Sequence, residues 1–410
     1  MEQHIKVATL CPDSVIGASH IRKGLCCEDC AGAITGDHYT IACVADGHGA
    51  ANHCRSFLGS QFAVEEAIKC TAQMFDALLE DNGALRAADI VSSLNLLRKR
   101  ILTMWRRRVN RHFRLHPFDP EHEVKKPKPE MAQEYAKGKS FFKMYGSTLN
   151  LVAYTNEMWF SLKLGDGICA LRMQDAWWLI VPSSEFGQTV CATVGEVEQA
   201  DGDAADGEVT DSLCSSSALS RMVIHFGLLG DADIPTATTA NVQNMYNVMS
   251  PRPLALVVNT DGVDKCYSTP RRLLRFYEGV ARNSGINVEG ASEAIPELLR
   301  NMSDNGSQDD MSLAMIIDAS QDWKSLDDLR VTAYADKSCA GSSIAALSSE
   351  HSNKTNVSQT HDRDVVEFNN HPIEEELPKE ESGKEKTLVA ERNPQAMPVV
   401  GGWFHPAGFG

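Results

Sequence analysis

No run of 18 or more apolar residues occurs in this 410-residue chain, which argues against a membrane-spanning helix. Basic residues are in the minority, 39 Lys and Arg against 55 Asp and Glu, and the net charge of −16 gives an average field that repels phosphate. A protein whose main work is coating nucleic acid or an anionic membrane is therefore not expected. The opening residues, Met1 to Ser14, lack a charged segment followed by an apolar stretch, so no secretory signal is read there. Glu2 rather than glycine follows Met1, which removes a myristoylation acceptor, and the chain ends in Gly410 without a prenylation box. Twelve cysteines are present, but no second C-x-x-C matches Cys27-Glu28-Asp29-Cys30, so reduced thiols are expected in place of a structural zinc site. Together these absences predict a cytoplasmic protein.

The apolar content, 43%, suffices for a sizeable core. Tyr39 to Ala45 (YTIACVA), Leu149 to Tyr154, Trp159 to Leu164, Leu254 to Val258 and Leu313 to Ile317 are compact β-favouring runs, each a candidate strand. His53 to Glu80 and Ala84 to Phe113 carry apolar residues three and four apart, which predicts two long helices split at Asn82-Gly83. That order does not follow a βαβα alternation and favours a mixed fold on antiparallel sheets. Residues 98–140 form a basic helix and loop insert with Arg98-Lys99-Arg100, Arg106-Arg107-Arg108 and Lys125-Lys126. It is read as the solvated face of a helix followed by a Pro-rich loop, with a nuclear localisation signal or a docking patch for acidic partners as alternatives. Residues 183–250 show no clear period and are read as a loop-rich insert. From 321 to 410 the chain turns Ser-, Asn-, Glu- and Lys-rich, a composition that cannot offset its ordering entropy, so a disordered polar tail is expected. Its end, GGWFHPAGFG, is a candidate docking motif.

The carboxylates fall at the ends of the candidate strands. Asp46 ends YTIACVA in Asp46-Gly47-His48-Gly49, Asp166 follows Leu164-Gly165, Asp261 follows Asn259-Thr260, and Asp309-Asp310 precede the last strand. A single Asp-Gly is usually a turn, but four acidic strand ends in one sandwich can converge on one cleft. Like charges held that close need a counter-charge, and carboxylate and carbonyl oxygens suit Mg²⁺ or Mn²⁺.

Taken in order, Asp46-Gly47-His48-Gly49, Tyr145-Gly146-Ser147-Thr148, Gly165-Asp166, Thr260-Asp261-Gly262 and Asp309-Asp310-Met311-Ser312 resemble the motif series of the metal-dependent type 2C protein Ser/Thr phosphatases. Upstream, Gly17-Ala18-Ser19-His20 and Cys27-Glu28-Asp29 resemble that family's N-terminal acidic motif, and the resemblance spans residues 15–318. It implies an α+β fold, a central β-sandwich of two mainly antiparallel sheets flanked by helices on both faces. It further implies hydrolysis of phosphoserine and phosphothreonine in protein substrates by a metal-activated water at a binuclear Mg²⁺ or Mn²⁺ centre, with a third, weaker ion allowed. Asp46 would bridge two ions, Glu28 and the Gly47 carbonyl would hold one, and Asp261 and Asp309 the other. Asp29 would orient water from behind the ligands, Asp166 would serve the third ion, and His48 would act as general acid. The family's usual phosphate-gripping Arg is absent; Gly24 stands at that spacing, leaving Arg22 and Lys23 as substitutes. Asp310 replaces a usual Asn. The competing reading is a non-catalytic phosphoprotein-binding scaffold of the same fold.

Overall fold

The computed structural model describes residues 7–79, 84–86, 89–174, 177–180, 211–229, 245–247 and 252–324. Its strands are β1 (Val7–Leu10), β2 (Cys30–Thr35), β3 (Tyr39–Ala45), β4 (Leu149–Thr155), β5 (Met158–Leu164), β6 (Ile168–Arg172), β7 (Trp177–Ile180), β8 (Val223–Leu228), β9 (Met245–Asn247), β10 (Ala255–Asn259) and β11 (Leu313–Asp318). They form two sheets, β1-β11-β10-β6-β7 and β2-β3-β4-β5-β8-β9. Every pairing is antiparallel except β8 with β9. The α-helices of six or more residues are α1 (Ala18–Lys23), α2 (Ser56–Leu78), α3 (Ile90–Leu115), α4 (Pro129–Ala136), α5 (Pro270–Ile286) and α6 (Val288–Asn305), and single helical turns lie at Ala218–Arg221 and Asp261–Asp264.

Side-chain alternation explains the layers. In β3, Ile41, Cys43 and Ala45 belong to the core shared with α2 and α3, whereas Ala42 and Val44 join Leu256, Val258, Ala314 and Ile316 between the sheets. In β10 the pattern repeats, with Ala255 and Val257 packed in the core of α5 and α6, where Leu274, Tyr277 and Leu299 lie. Both faces of these strands are buried, which is why they read as continuous apolar runs. Helix α3 buries Leu94, Leu97, Ile101 and Trp105, a three- and four-residue repeat, and Trp105 donates from Nε1 to the Gly59 carbonyl of α2 at 3.0 Å. Side chains of that size contribute about 1.5–3 kcal/mol each by leaving water.

The register positions the cleft. Cys30 pairs with Ala45, so β2 begins where β3 ends; Asn259 pairs with both Leu313 and Ile168, so β11 and β6 begin where β10 ends. Each sheet thereby brings its acidic flanks to one edge.

The sandwich flanked by helices matches the expected architecture, and β3 coincides with its candidate run. Within the stretch read as a loop-rich insert, Val223–Leu228 is a strand paired along β5, with Met245–Asn247 beside it, because Ile224 and Phe226 supply an apolar alternation that packs into the core. Beyond the boundary at 320, Trp323 is buried and its Nε1 donates to the Asp318 carbonyl at 2.8 Å. Residues 325–410, which hold nearly all of the expected polar tail and its aromatic end, lie outside the described residues, as does the break at Asn82-Gly83. Among the described residues no helix is long and apolar enough to cross a membrane.

Candidate metal centre and active site

Asp46 leaves β3 with its backbone tied to β4: its N–H donates to Thr148 Oγ1 at 2.9 Å and its carbonyl accepts from Thr148 N at 2.9 Å. Gly47 then passes so close to its neighbours that a Cβ would lie 2.6 Å from the Glu28 carbonyl oxygen and 2.8 Å from the Ser56 backbone, which only glycine permits. The Glu28 carbonyl accepts from Gly47 N at 3.1 Å and from Ser60 Oγ at 2.5 Å, fixing the start of β2 against the end of β3. Across the sandwich, Thr260 Oγ1 donates to Asp29 Oδ2 at 2.5 Å and accepts from Ser312 N at 2.9 Å. One hydroxyl therefore joins the second sheet's acidic loops to the first.

These carboxylates lie close enough to act on one another's charge. Burial holds Asp46 well above the usual carboxylate range, and the charges of Asp29, Asp261 and Asp309 push in the same direction. Asp29 is raised for the same leading reason, then by Asp310, Asp309 and Asp261. Asp261 is raised by burial and, beyond its lysine contacts, by Asp309 and Asp166. Asp166 itself is exposed on the Gly165–Gly167 turn, its carbonyl held by Asn150 Nδ2 at 2.7 Å.

Two lysines reach this acidic group. Lys125 Nζ lies 2.5 Å from Glu28 Oε1, 3.0 Å from the His48 carbonyl and 3.1 Å from Ser56 Oγ, so all three of its donors are used. Its loop is pinned by Arg55, which donates from Nε to Glu123 Oε1 at 2.8 Å and from Nη1 to the His116 carbonyl at 2.6 Å and to the Tyr145 hydroxyl at 2.9 Å. Lys265, one turn after Asp261, lies 2.7 Å from Asp261 Oδ2 and 3.0 Å from Asp309 Oδ2. Neither lysine stood out in the sequence as a site residue. The i,i+4 spacing of Asp261 and Lys265 was a usable signal, whereas nothing local foretells that Arg55 draws the Lys125 loop inward.

The donor set suits a divalent cation. It is built of oxygens, and Glu28 Oε2 is buried with no hydrogen-bond partner, 4.0 Å from His20 Nε2. An unsatisfied buried carboxylate oxygen calls for a cation or the water around one. As placed, no three His, Cys, Asp or Glu side chains among the described residues meet at one coordination point. The lysine contacts at Glu28, Asp261 and Asp309 accompany that spacing.

His48 is half-buried beside this group, its N–H donating to the Gly146 carbonyl at 3.1 Å and its ring edge-on to His53 at 4.8 Å. Gly146 makes room for the pair, since a Cβ there would sit 2.2 Å from His53 Nδ1 and 2.7 Å from His48 Cδ2. Arg22 and Lys23, expected from the sequence as substitutes for a phosphate-gripping Arg, are exposed at the end of α1, and the Arg22 guanidinium bonds the Gln308 side chain, next to Asp309. The cysteines around Glu28 are poor nucleophiles, as burial pushes the Cys30 thiol up to about 12 and raises Cys26 and Cys27 as well.

Burial, helped by the charges of His48, Lys143 and Lys125, lowers His53 to about 3. The unfolded chain takes up this proton near pH 6.5, whereas the folded chain refuses it until about pH 3. Stability held above pH 6.5 is therefore lost as pH falls through that window. Denaturant unfolding at pH 7 and pH 5 is expected to show about 2 kcal/mol more loss for wild type than for His53→Gln. Equal losses in the two proteins would remove the assignment.

The family model described as Protein phosphatase 2C matches residues 16–300. Among solved structures, the chain is similar to the serine/threonine phosphatase Stp1 from Staphylococcus aureus, at 12% identity and TM-score 0.42 over 77% of this chain and 95% of that one. It is similar also to the Mycobacterium tuberculosis serine/threonine phosphatase PstP/Ppp, at 12% identity and TM-score 0.40 over 76% and 98%. The catalytic domain of PstP solved with two manganese ions gives 12% identity and TM-score 0.40 over 76% and 97%. No curated protein matches the chain in sequence.

Proposed function

Because the chain belongs to the protein phosphatase 2C family, we propose that it hydrolyses phosphoserine and phosphothreonine in protein substrates at the Asp46 cleft. The observation that carries this reading is the convergence of Glu28, Asp29, Asp46, Asp261 and Asp309 from two sheets onto one edge, with His48 beside them. Asp46, shared between two positions, would hold Mg²⁺ or Mn²⁺ together with Glu28 and the Gly47 carbonyl on one side and Asp261 and Asp309 on the other. Bound cations supply charge neutralisation for the phosphoryl oxygens and a more acidic water. Asp29, whose Oδ2 is held by Thr260, would accept a hydrogen bond from the attacking water and align it. His48 gives its proton to the departing Ser or Thr oxygen as the P–O bond breaks, leaving the protein alcohol and inorganic phosphate. Arg22 or Lys23, at the rim by Gln308, would hold the phosphate's outer oxygens, and Asp166 would serve a third, weaker ion.

The scaffold reading is favoured by one observation, the neutralisation of Glu28, Asp261 and Asp309 by Lys125 and Lys265. A phosphothreonine peptide assay with Mn²⁺, Mg²⁺ or EDTA separates the two. Phosphate release that requires the metal supports the enzyme; phosphopeptide binding with no release in any metal supports the scaffold and ends the catalytic proposal.

A further inference from the structure

We propose that Lys265 and a divalent cation compete for Asp261 and Asp309, so that this lysine sets how tightly the cleft holds metal. The inference rests on the metal-dependent reading above. The Lys265 ammonium bridges Asp261 Oδ2 at 2.7 Å and Asp309 Oδ2 at 3.0 Å, the two carboxylates that would close on the same ion. Their backbones are locked together. Thr260 N donates to the Ser312 carbonyl at 3.1 Å, Ser307 Oγ donates to the Gly262 carbonyl at 2.8 Å, and Ser303 Oγ donates to the Asp309 carbonyl at 3.0 Å. The spacing of the two acids is thus set by the fold, and one cation between them is the arrangement that spacing serves.

Lys265 differs from Lys125 in the property that matters for exchange. Lys125 is 9% exposed and anchored at three oxygens, a fixed part of the wall, whereas the Lys265 side chain is 51% exposed and ends a flexible four-carbon stem at the cleft mouth. Its ammonium can turn into water once those two contacts break, because the stem itself stands half in solvent. A cation entering between Asp261 and Asp309 must displace it, because two positive charges cannot share those oxygens. The metal affinity of this position is consequently lowered by the work of breaking both lysine contacts.

The test uses the full-length protein freed of metal and a Mn²⁺ titration in which free Mn²⁺ is followed by EPR, so the readout is binding and not turnover. Lys265→Gln is expected to bind Mn²⁺ roughly tenfold more tightly than wild type, and Lys265→Arg to bind as wild type does. Melting curves of the three proteins establish that each is folded. Wild-type binding that Lys265→Gln fails to improve would overturn the competition and leave the phosphatase reading standing. Binding by Lys265→Gln alone is its strongest form. Absence of Mn²⁺ binding in both proteins overturns the competition and the metal-dependent reading together.

Discussion

Asp46→Ala is expected to lower phosphate release from a phosphothreonine peptide by at least ~10³-fold while leaving the metal-free protein as stable as wild type, or more so. The two effects separate for a physical reason. Asp46 sits where burial and the charges of Asp29, Asp261 and Asp309 all oppose its ionisation, so without a cation its charge is a burden on the fold. Deleting it relieves that repulsion. Its backbone bonds to Thr148 do not involve the side chain and survive the substitution. Loss of the shared ligand, by contrast, weakens both proposed ion positions at once. The measurement is kcat with saturating Mn²⁺ beside a thermal melt in EDTA. An unchanged rate would remove Asp46 from the mechanism. A large fall in Tm would mean that the substitution acts through folding.

How far the site was legible depends on whether its geometry is local. Asp46, Asp166, Asp261 and Asp309 could be found because each flanks a short apolar run, and an antiparallel pairing carries such flanks to a common edge without further information. Glu28 and Asp29 precede a strand, Cys30–Thr35, whose small residues give little β signal, so their placement came from the resemblance and not from periodicity. The strand at Val223–Leu228 was hidden by its flanks, which carry the Ser-rich, periodless composition of a loop. Helices α5 and α6 begin at Thr269 and Asn287, whose side chains accept from Arg272 N and Gly290 N, yet neither was read as a helix. The lysines were illegible for a different reason. Lys125 lies 97 positions from Glu28, as the two numbers give directly, and its approach depends on the buried Arg55–Glu123 pair closing a loop that composition alone presents as solvated. Contacts made through such closures are set by tertiary packing, which a pattern along the chain does not contain.

The second large effect is expected at Asp310, which the resemblance marks as a departure from the usual Asn. Its two oxygens are both committed: Oδ1 accepts from Gly17 N at 2.6 Å, and Oδ2 accepts from Glu28 N at 2.5 Å and bonds His20 Nδ1 at 2.9 Å. That last bond is the leading reason His20 keeps its proton to a higher pH than an ordinary imidazole. Asp310→Ala strands two buried amides and the His20 ring nitrogen that bonds the carboxylate, for a loss of about 3–5 kcal/mol in urea unfolding. Asp310→Asn preserves the shape but turns an NH₂ toward a group that must donate, so a loss of about 1–3 kcal/mol is expected. Because Glu28 N is one of the stranded donors, both variants should also weaken Mn²⁺ binding, with alanine the weaker binder. Asparagine as stable as wild type would mean that His20 can turn to accept from the amide. The acidic segment would then owe its position to Ser60 and Gly47, which hold the Glu28 carbonyl, and not to the Asp310 carboxylate.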